Sequence, residues 1–252
     1  MGFKNLIGSV LIILLMFFFL AADLEAMAPR TLGFKVGYTS GQLRAVETGD
    51  DIQVKKFATG GLTLGLVSNL KLTSWLYFQP EFIYFQKGGK YEVDVPLPVS
   101  IPGFQVYVVD TRHLDYLEIP LLMKVSLPLQ WKLKPTFITG VSAGIKLSGQ
   151  LVNEVNVRIG GYNFLWPKTE DITRQLNNIE LSYIIGGGFD LEIGRSTLAL
   201  DQRFSFGFKT NKYETVIPAS YFQVIGIPVP QDIVYRLKMY NYVFSVALTY
   251  FF

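Results

Sequence analysis

Cysteine is absent from all 252 residues, and histidine occurs once. The first absence excludes disulfides, thiolate metal sites, a cysteine nucleophile and the acylated cysteine of a lipoprotein. The second leaves little acid–base or imidazole–metal chemistry to argue about. Charge is scarce as well. Asp, Glu, Lys and Arg make up 17% of the chain, against about 25% in an ordinary soluble domain. The 23 basic and 20 acidic residues nearly cancel, at net +3, so there is no bulk field to hold nucleic acid. A single apolar run approaches the roughly 20 residues of a membrane helix, which excludes a polytopic helical protein. What the chain has in plenty is hydrophobic and aromatic side chains, 50% and 15% of it, with a mean hydropathy of +0.30. Disorder is thereby excluded too.

That one apolar run stands first. Lys4 precedes the uninterrupted stretch Leu6 to Ala22, and small residues follow in Ala26-Met27-Ala28. The pattern is that of a secretory signal peptide over 1–26, with cleavage after Ala26 or after Ala28. An uncleaved anchor is the alternative. Removal of 1–26 takes away one lysine and two acidic residues and leaves a net charge of +4. Residues 27–252 contain no linker-like stretch and are expected to form one domain.

In this domain the sequence alternates with period two, eight times over. The last segment is the clearest: Tyr240, Tyr242, Phe244, Val246, Leu248, Tyr250 and Phe252 share one face, and Asn241, Val243, Ser245, Ala247, Thr249 and Phe251, mostly small or polar, lie on the other. Segments around Leu32–Tyr38, Leu62–Leu66, Leu76–Tyr84, Leu117–Leu127, Leu133–Leu147, Leu181–Ile193 and Leu198–Phe208 repeat it. Aromatics gather at the ends of the apolar faces, as in the girdles at the two interfaces of a bilayer. The charges assign the faces. Lys35, Glu81, Lys87, Glu118, Lys124, Lys134, Lys146, Asp190, Glu192, Asp201 and Arg203 all fall on the polar side. Eleven charges cannot share a dry core at several kcal/mol each unless they pair, and six basic against five acidic residues pair nearly completely. The expected fold is an all-β, eight-stranded, antiparallel, up-and-down transmembrane barrel. A sheet in lipid must close to leave no open edge, and eight strands leave room inside for side chains only.

The connections alternate in length. Short ones fall near 70–74, 128–132 and 194–195; long ones span roughly 45–56, 88–113, 148–179 and 209–239. Termini and short turns are expected in the periplasm, with the long loops outside. Pro80 and Pro120 lie within strands, where each removes a ladder hydrogen bond. A bulge is expected at each.

Several phrases resemble the PorT-type outer-membrane β-barrel family of Gram-negative bacteria, a small barrel of the OmpA/OmpX kind. They are Gly33-Phe34-Lys35-Val36-Gly37, Gln79-Pro80-Glu81 with Gln86-Lys87-Gly88, Tyr116-Leu117-Glu118-Ile119-Pro120-Leu121-Leu122, Gly186-Gly187-Gly188 and Leu248-Thr249-Tyr250-Phe251-Phe252. The resemblance covers nearly all of 27–252. It implies an eight-stranded barrel in the outer membrane in which in-strand prolines are habitual, and no catalytic residues. Terminal Phe252 resembles the signal read by the outer-membrane assembly machinery. The family's named member is linked to protein secretion and surface gliding.

Other candidates are weighed on their residues. His113, in Asp110-Thr111-Arg112-His113, would be needed by a Ser/His/Asp site at the barrel rim, but no nucleophile context accompanies it and a solvated loop histidine is expected. Two long connections carry proline-punctuated apolar stretches, with Pro96, Pro98, Phe104 and Tyr107 in one and Tyr221, Phe222, Pro228 and Pro230 in the other. A large exposed apolar patch marks an interaction site; the alternative is that the two loops pack on each other as a lid. Trp166, in Tyr162-Asn163-Phe164-Leu165-Trp166, suits anchoring at the membrane interface or stacking on a sugar. Gly186–Gly188 lies inside a strand rather than in a phosphate loop, and Glu47, Asp50 and Asp51 lack calcium-loop spacing. No cofactor is expected. The functional expectation is a non-enzymatic structural or docking component of the envelope, whose partners are membrane lipid, the assembly machinery and other envelope proteins. A barrel that binds a lipid or small hydrophobic molecule under its outer loops is the alternative.

Overall fold

The computed structural model describes residues 30–47, 54–94, 103–129, 131–208, 211–217 and 233–252. The expected signal segment 1–26 lies outside them, as do Pro96, Pro98, Tyr221, Phe222, Pro228 and Pro230. The strands are β1 (Arg30–Glu47), β2 (Val54–Phe57), β3 (Thr59–Lys71), β4 (Leu76–Asp94), β5 (Phe104–Ser126), β6 (Leu133–Ile159), β7 (Tyr162–Asp171), β8 (Ile179–Ile193), β9 (Ser196–Gly207), β10 (Asn211–Ile217) and β11 (Ile233–Phe251).

Eight of them close a ring in the order β1-β3-β4-β5-β6-β8-β9-β11, with every neighbouring pair antiparallel. Closure is made by β1 on β11, from Gly33 opposite Phe251 to Arg44 opposite Tyr240. This is an eight-stranded up-and-down barrel, and its polarity is inverted relative to a soluble protein. Leu32, Phe34, Val36, Leu62, Leu64, Leu66, Leu121, Val141, Leu181, Leu200 and Leu248 are exposed on the outer wall, while Lys35, Glu81, Lys87, Lys124, Asp201 and Arg203 are buried inside. In water that apolar belt would be heavily penalised; against lipid it costs nothing. Gly37, Gly65 and Gly140 alternate with the belt residues because a side chain there would meet backbone of the neighbouring strand.

The start of β1, the end of β11 and the short β3–β4, β5–β6 and β8–β9 turns share one end. Thr73 Oγ1 accepts hydrogen bonds from the amides of Trp75 and Leu76, and Gly194 turns the β8–β9 hairpin at φ +63°. Trp75 and Trp131 are exposed at this end, and Phe34 and Phe252 lie 5.9 Å apart beside them. These aromatics form one girdle.

At the other end the strands run far past the bilayer. β6 has 27 residues, where about 9–11 cross a membrane. The stretches expected as loops at 88–113 and 148–179 are therefore mostly strand. β4 and β5 stay paired up to Asp94 opposite Tyr107, and β5 and β6 up to Phe104 opposite Ile159. Above the membrane both faces of the wall can be polar, so the apolar-out signature stops while the hydrogen-bonded ladder continues. β2 adds to β4 and β7 adds to β6. The result is a standing five-stranded sheet, β2-β4-β5-β6-β7.

The expected bulges at Pro80 and Pro120 are absent. Pro80 faces Leu121 and Ile83 faces Glu118 in one unbroken register, and Pro120 faces Ser142. The wall tolerates a missing amide by leaving a few positions between them unpaired. The bulge lies instead at Asp115/Tyr116, where Leu147 is the extra residue on β6.

Candidate functional site

The lumen is crossed by ion pairs that join strands not adjacent in the ring. Arg203 of β9 donates through Nη1 and Nη2 to the two carboxylate oxygens of Glu81 on β4, both at 2.8 Å. Its Nη2 also reaches Asp201 Oδ2 at 2.8 Å. Lys35 of β1 donates to Glu81 at 3.0 Å and stands 3.3 Å from Asp201. Two cations and two anions cancel, and Gln79 Nε2 supplies a further donor to Glu81. Lys124 of β5 donates to Asp190 of β8 at 2.7 Å. Lys87 bridges Glu118 and Glu180 at 3.0 and 3.1 Å, beneath the Tyr116 ring, whose centroid is 3.9 Å from Nζ.

The alternation of strands brings these side chains together because every second residue points inward. Small apolar clusters fill the space between them: Val67 with Ala199 and Phe251, Ile83 with Phe85 and Val243, and Leu122 with Ile138 and Ile184. A cavity of about 20 Å³ remains beside Thr63, Arg203 and Ser245, room for roughly one water. Among the described residues no group of three or more acidic or histidine side chains is placed to hold a metal ion.

Three residues assigned to this network from the sequence lie apart from it. Lys134 and Glu192 pair with each other at the rim that carries the short turns, where both are partly exposed, because their register sits at the strand ends. Lys146 meets no carboxylate among the described residues. Its Nζ donates to the backbone oxygens of Thr173 and Leu176, at 2.6 and 2.8 Å. The segment that follows β7 makes a single 3-10 turn at Thr173–Gln175 and folds into the barrel mouth. Ile172 and Leu176 are buried there, beside Gly149 and close to Leu114. Hydrogen bonds from Thr173, its hydroxyl first and then its amide at 2.8 Å, hold the Asp171 carboxyl below the usual aspartate range.

Two groups stand outside the eleven charges assigned to the lumen from the sequence. Glu180 shares the polar face of its segment with Ser182 and Asp190 in the alternation, and it is buried on the inward face of β8. The second is Tyr91, Asp110, Arg112 and Asn153, all on the inward face above the barrel. Arg112 Nη2 donates to Tyr91 Oη at 2.9 Å, Tyr91 donates to Asp110, and Asn153 Nδ2 donates to Asp110 at 2.6 Å. The two-residue spacing of Val106, Val108, Asp110, Arg112 and Leu114 was the available signal. These bonds pin β4, β5 and β6 together outside the membrane.

Of the expected docking residues, the three that are described lie in strands. Phe104 and Tyr107 belong to β5 and are half-buried; Trp166 belongs to β7 and is exposed. His113 is also in β5, exposed on the outer face opposite Gly88 and Gln150. Phe252 is exposed at the end of the chain, and its amide donates to Leu32 O at 2.9 Å.

Residues 22–212 match the family model described as the outer membrane protein beta-barrel domain. The chain belongs to that family. The outer-membrane barrel so identified has similar solved structures. OprG of Pseudomonas aeruginosa is 9% identical over 89% of this chain and 98% of its own, with a TM-score of 0.41. Neisserial surface protein A is 10% identical over 88% and 97%, at 0.34. The outer-membrane protease OmpT of Escherichia coli is 9% identical over 88% and 96%, at 0.37. No curated protein matches the sequence.

Proposed function

We propose that this outer-membrane barrel is a non-enzymatic docking component of the cell envelope, working through the sheet that stands above the membrane. The observation that carries the reading is the contrast between its two halves. The described lumen is crossed by buried, paired charges on β1, β4, β5, β8 and β9, which supports a structural rather than a conducting barrel. The standing sheet is braced by a buried polar cluster and ends in exposed aromatic and aliphatic side chains, Tyr162, Phe164, Leu165 and Trp166. Patches of this kind mark interaction sites. The resemblance to PorT-type barrels supports a narrower version, in which the partner belongs to a secretion or gliding assembly.

Crosslinking in intact outer membranes tests this, with the whole protein and with the β6–β7 tip, residues 157–164, replaced by a two-residue turn. A stoichiometric crosslinked partner that disappears with the tip is expected. No partner in either form, or the same partner in both, overturns the reading.

A further inference from the structure

β7 is an edge strand, and its geometry specifies what can dock on it. Among the described residues it pairs only with β6, and every residue from Tyr162 to Thr169 is exposed, Tyr162 by 74%. The β6–β7 turn is the two-residue Gly160-Gly161, with φ of +54° and +97°. Positive φ at both positions is the primed hairpin turn, whose closing pair, here Ile159 and Tyr162, exchanges both ladder hydrogen bonds. Alternation then makes Phe164 and Trp166 hydrogen-bonded to β6, and turns the N–H and C=O of Asn163 and Leu165 away from it. Pro167 agrees independently. It faces Glu154 in the ladder but has no N–H to give, so it must occupy an outward-turned position of the same parity.

The outer edge from Tyr162 to Trp166 therefore offers backbone donors and acceptors at Asn163 and Leu165. It holds no charge and no proline, the devices by which exposed edges are usually blunted; both begin only at Pro167 and Lys168. We propose that this edge accepts an extended segment of a partner protein as a sixth strand of the standing sheet. Unmet amides and carbonyls at two-residue spacing call for another extended polypeptide. Tyr162, Phe164 and Trp166 lie on one face, with the last two rings stacked at 6.2 Å, and favour aromatic or β-branched side chains on that face of the guest. Pro167 sets the limit of pairing. Two β7 edges from copies in the same membrane cannot pair with each other in antiparallel fashion. Antiparallel pairing of two identical edges needs a two-fold axis perpendicular to the strands, and for strands rising from the bilayer that axis would turn one barrel upside down.

The proposal rests on the docking reading, and the test separates the two. Amide exchange is followed on the full protein in lipid nanodiscs, alone and with a labelled peptide of sequence QLVNEVNVRI. This is the sequence of residues 150–159, which already pair with β7 on its other edge. In the free protein the Asn163 and Leu165 amides should exchange fast while Phe164 is protected. Slow exchange at Asn163 and Leu165 overturns the open edge whether or not a partner exists. The peptide should bind saturably, protect both amides, and lose at least tenfold in affinity against Asn163→Pro/Leu165→Pro. That variant leaves the β6–β7 ladder intact, as continued protection of Phe164 would verify. No saturable binding, or equal binding to the proline variant, overturns the proposal. So does binding that survives the prolines but is lost in Trp166→Ala, which would make the surface an aromatic platform for a glycan or another ligand.

Discussion

Replacing Glu81 by leucine should destabilise the barrel more than any other single lumen substitution. Glu81 accepts both ends of the Arg203 guanidinium, the Lys35 ammonium and the Gln79 amide. Without it, two buried cations face the single carboxylate of Asp201. Breaking one partner out of a buried ion pair costs about 3–5 kcal/mol because the survivor is left uncompensated. That is a large share of a total folding free energy of roughly 5–15 kcal/mol. The double variant Glu81→Leu/Arg203→Leu restores neutrality, since Lys35 keeps Asp201 at 3.3 Å. It should therefore be more stable than the sum of its singles by about 2 kcal/mol. Urea unfolding in phospholipid vesicles measures all four members of the cycle, and the chain's three tryptophans report from outside the lumen. If Glu81→Leu costs less than about 1 kcal/mol, the charges are hydrated and the argument for a dry, filled lumen is wrong.

Other outcomes follow from the same geometry. Leu64→Arg, in the middle of the lipid-facing belt, should cost about 2–4 kcal/mol in vesicles; a neutral result would move the belt off β3. Gly188→Val should abolish folding, judged by heat-modifiable gel migration, because a side chain there runs into the Leu200 carbonyl and comes within 3.0 Å of Asp201 Cα. Lys146→Met removes two charge-assisted bonds from the mouth segment, each worth about 1.5 kcal/mol or more. Amide exchange over residues 172–178 should rise by at least about tenfold, while the barrel strands stay protected. The Asp171 carboxyl is held below its usual range by its bond to Thr173. A depressed folded value means the bond stabilises the turn above the unfolded pKa and is lost as the carboxyl protonates. Exchange at the Thr173 amide, corrected for intrinsic rates, should accelerate below about pH 4; a flat ratio down to pH 2 would refute the bond.

The barrel was legible because lipid imposes one rule on every crossing strand. Leu32, Phe34 and Val36 must face out and Lys35 must face in, so period two, strand number and the identity of the lumen face can all be read from spacing. The same rule hid what lies beyond the bilayer. Val106 to Leu114 and Gly149 to Ile159 remain strand, but lipid no longer dictates the outer face there, and a wall free to be polar on both sides carries no apolar stripe. Pro80 and Pro120 misled for a related reason. A proline announces a lost amide, but only the register of its neighbours decides whether the strand bulges or leaves a gap.

Charge pairing shows the same division. Composition required that the inward cations meet anions, and it placed Lys35, Glu81, Asp201 and Arg203 on one face. It could not tell that Lys146 would spend its charge on the carbonyls of Thr173 and Leu176, because those oxygens are brought to the mouth by a backbone turn no periodicity encodes. Nor could it tell that Glu180 would be the second acid on Lys87. Alternation is local and survives in the order of residues; which strand stands opposite which, and how high each wall rises, depends on the stagger of the closed ring, and only the folded chain decides that.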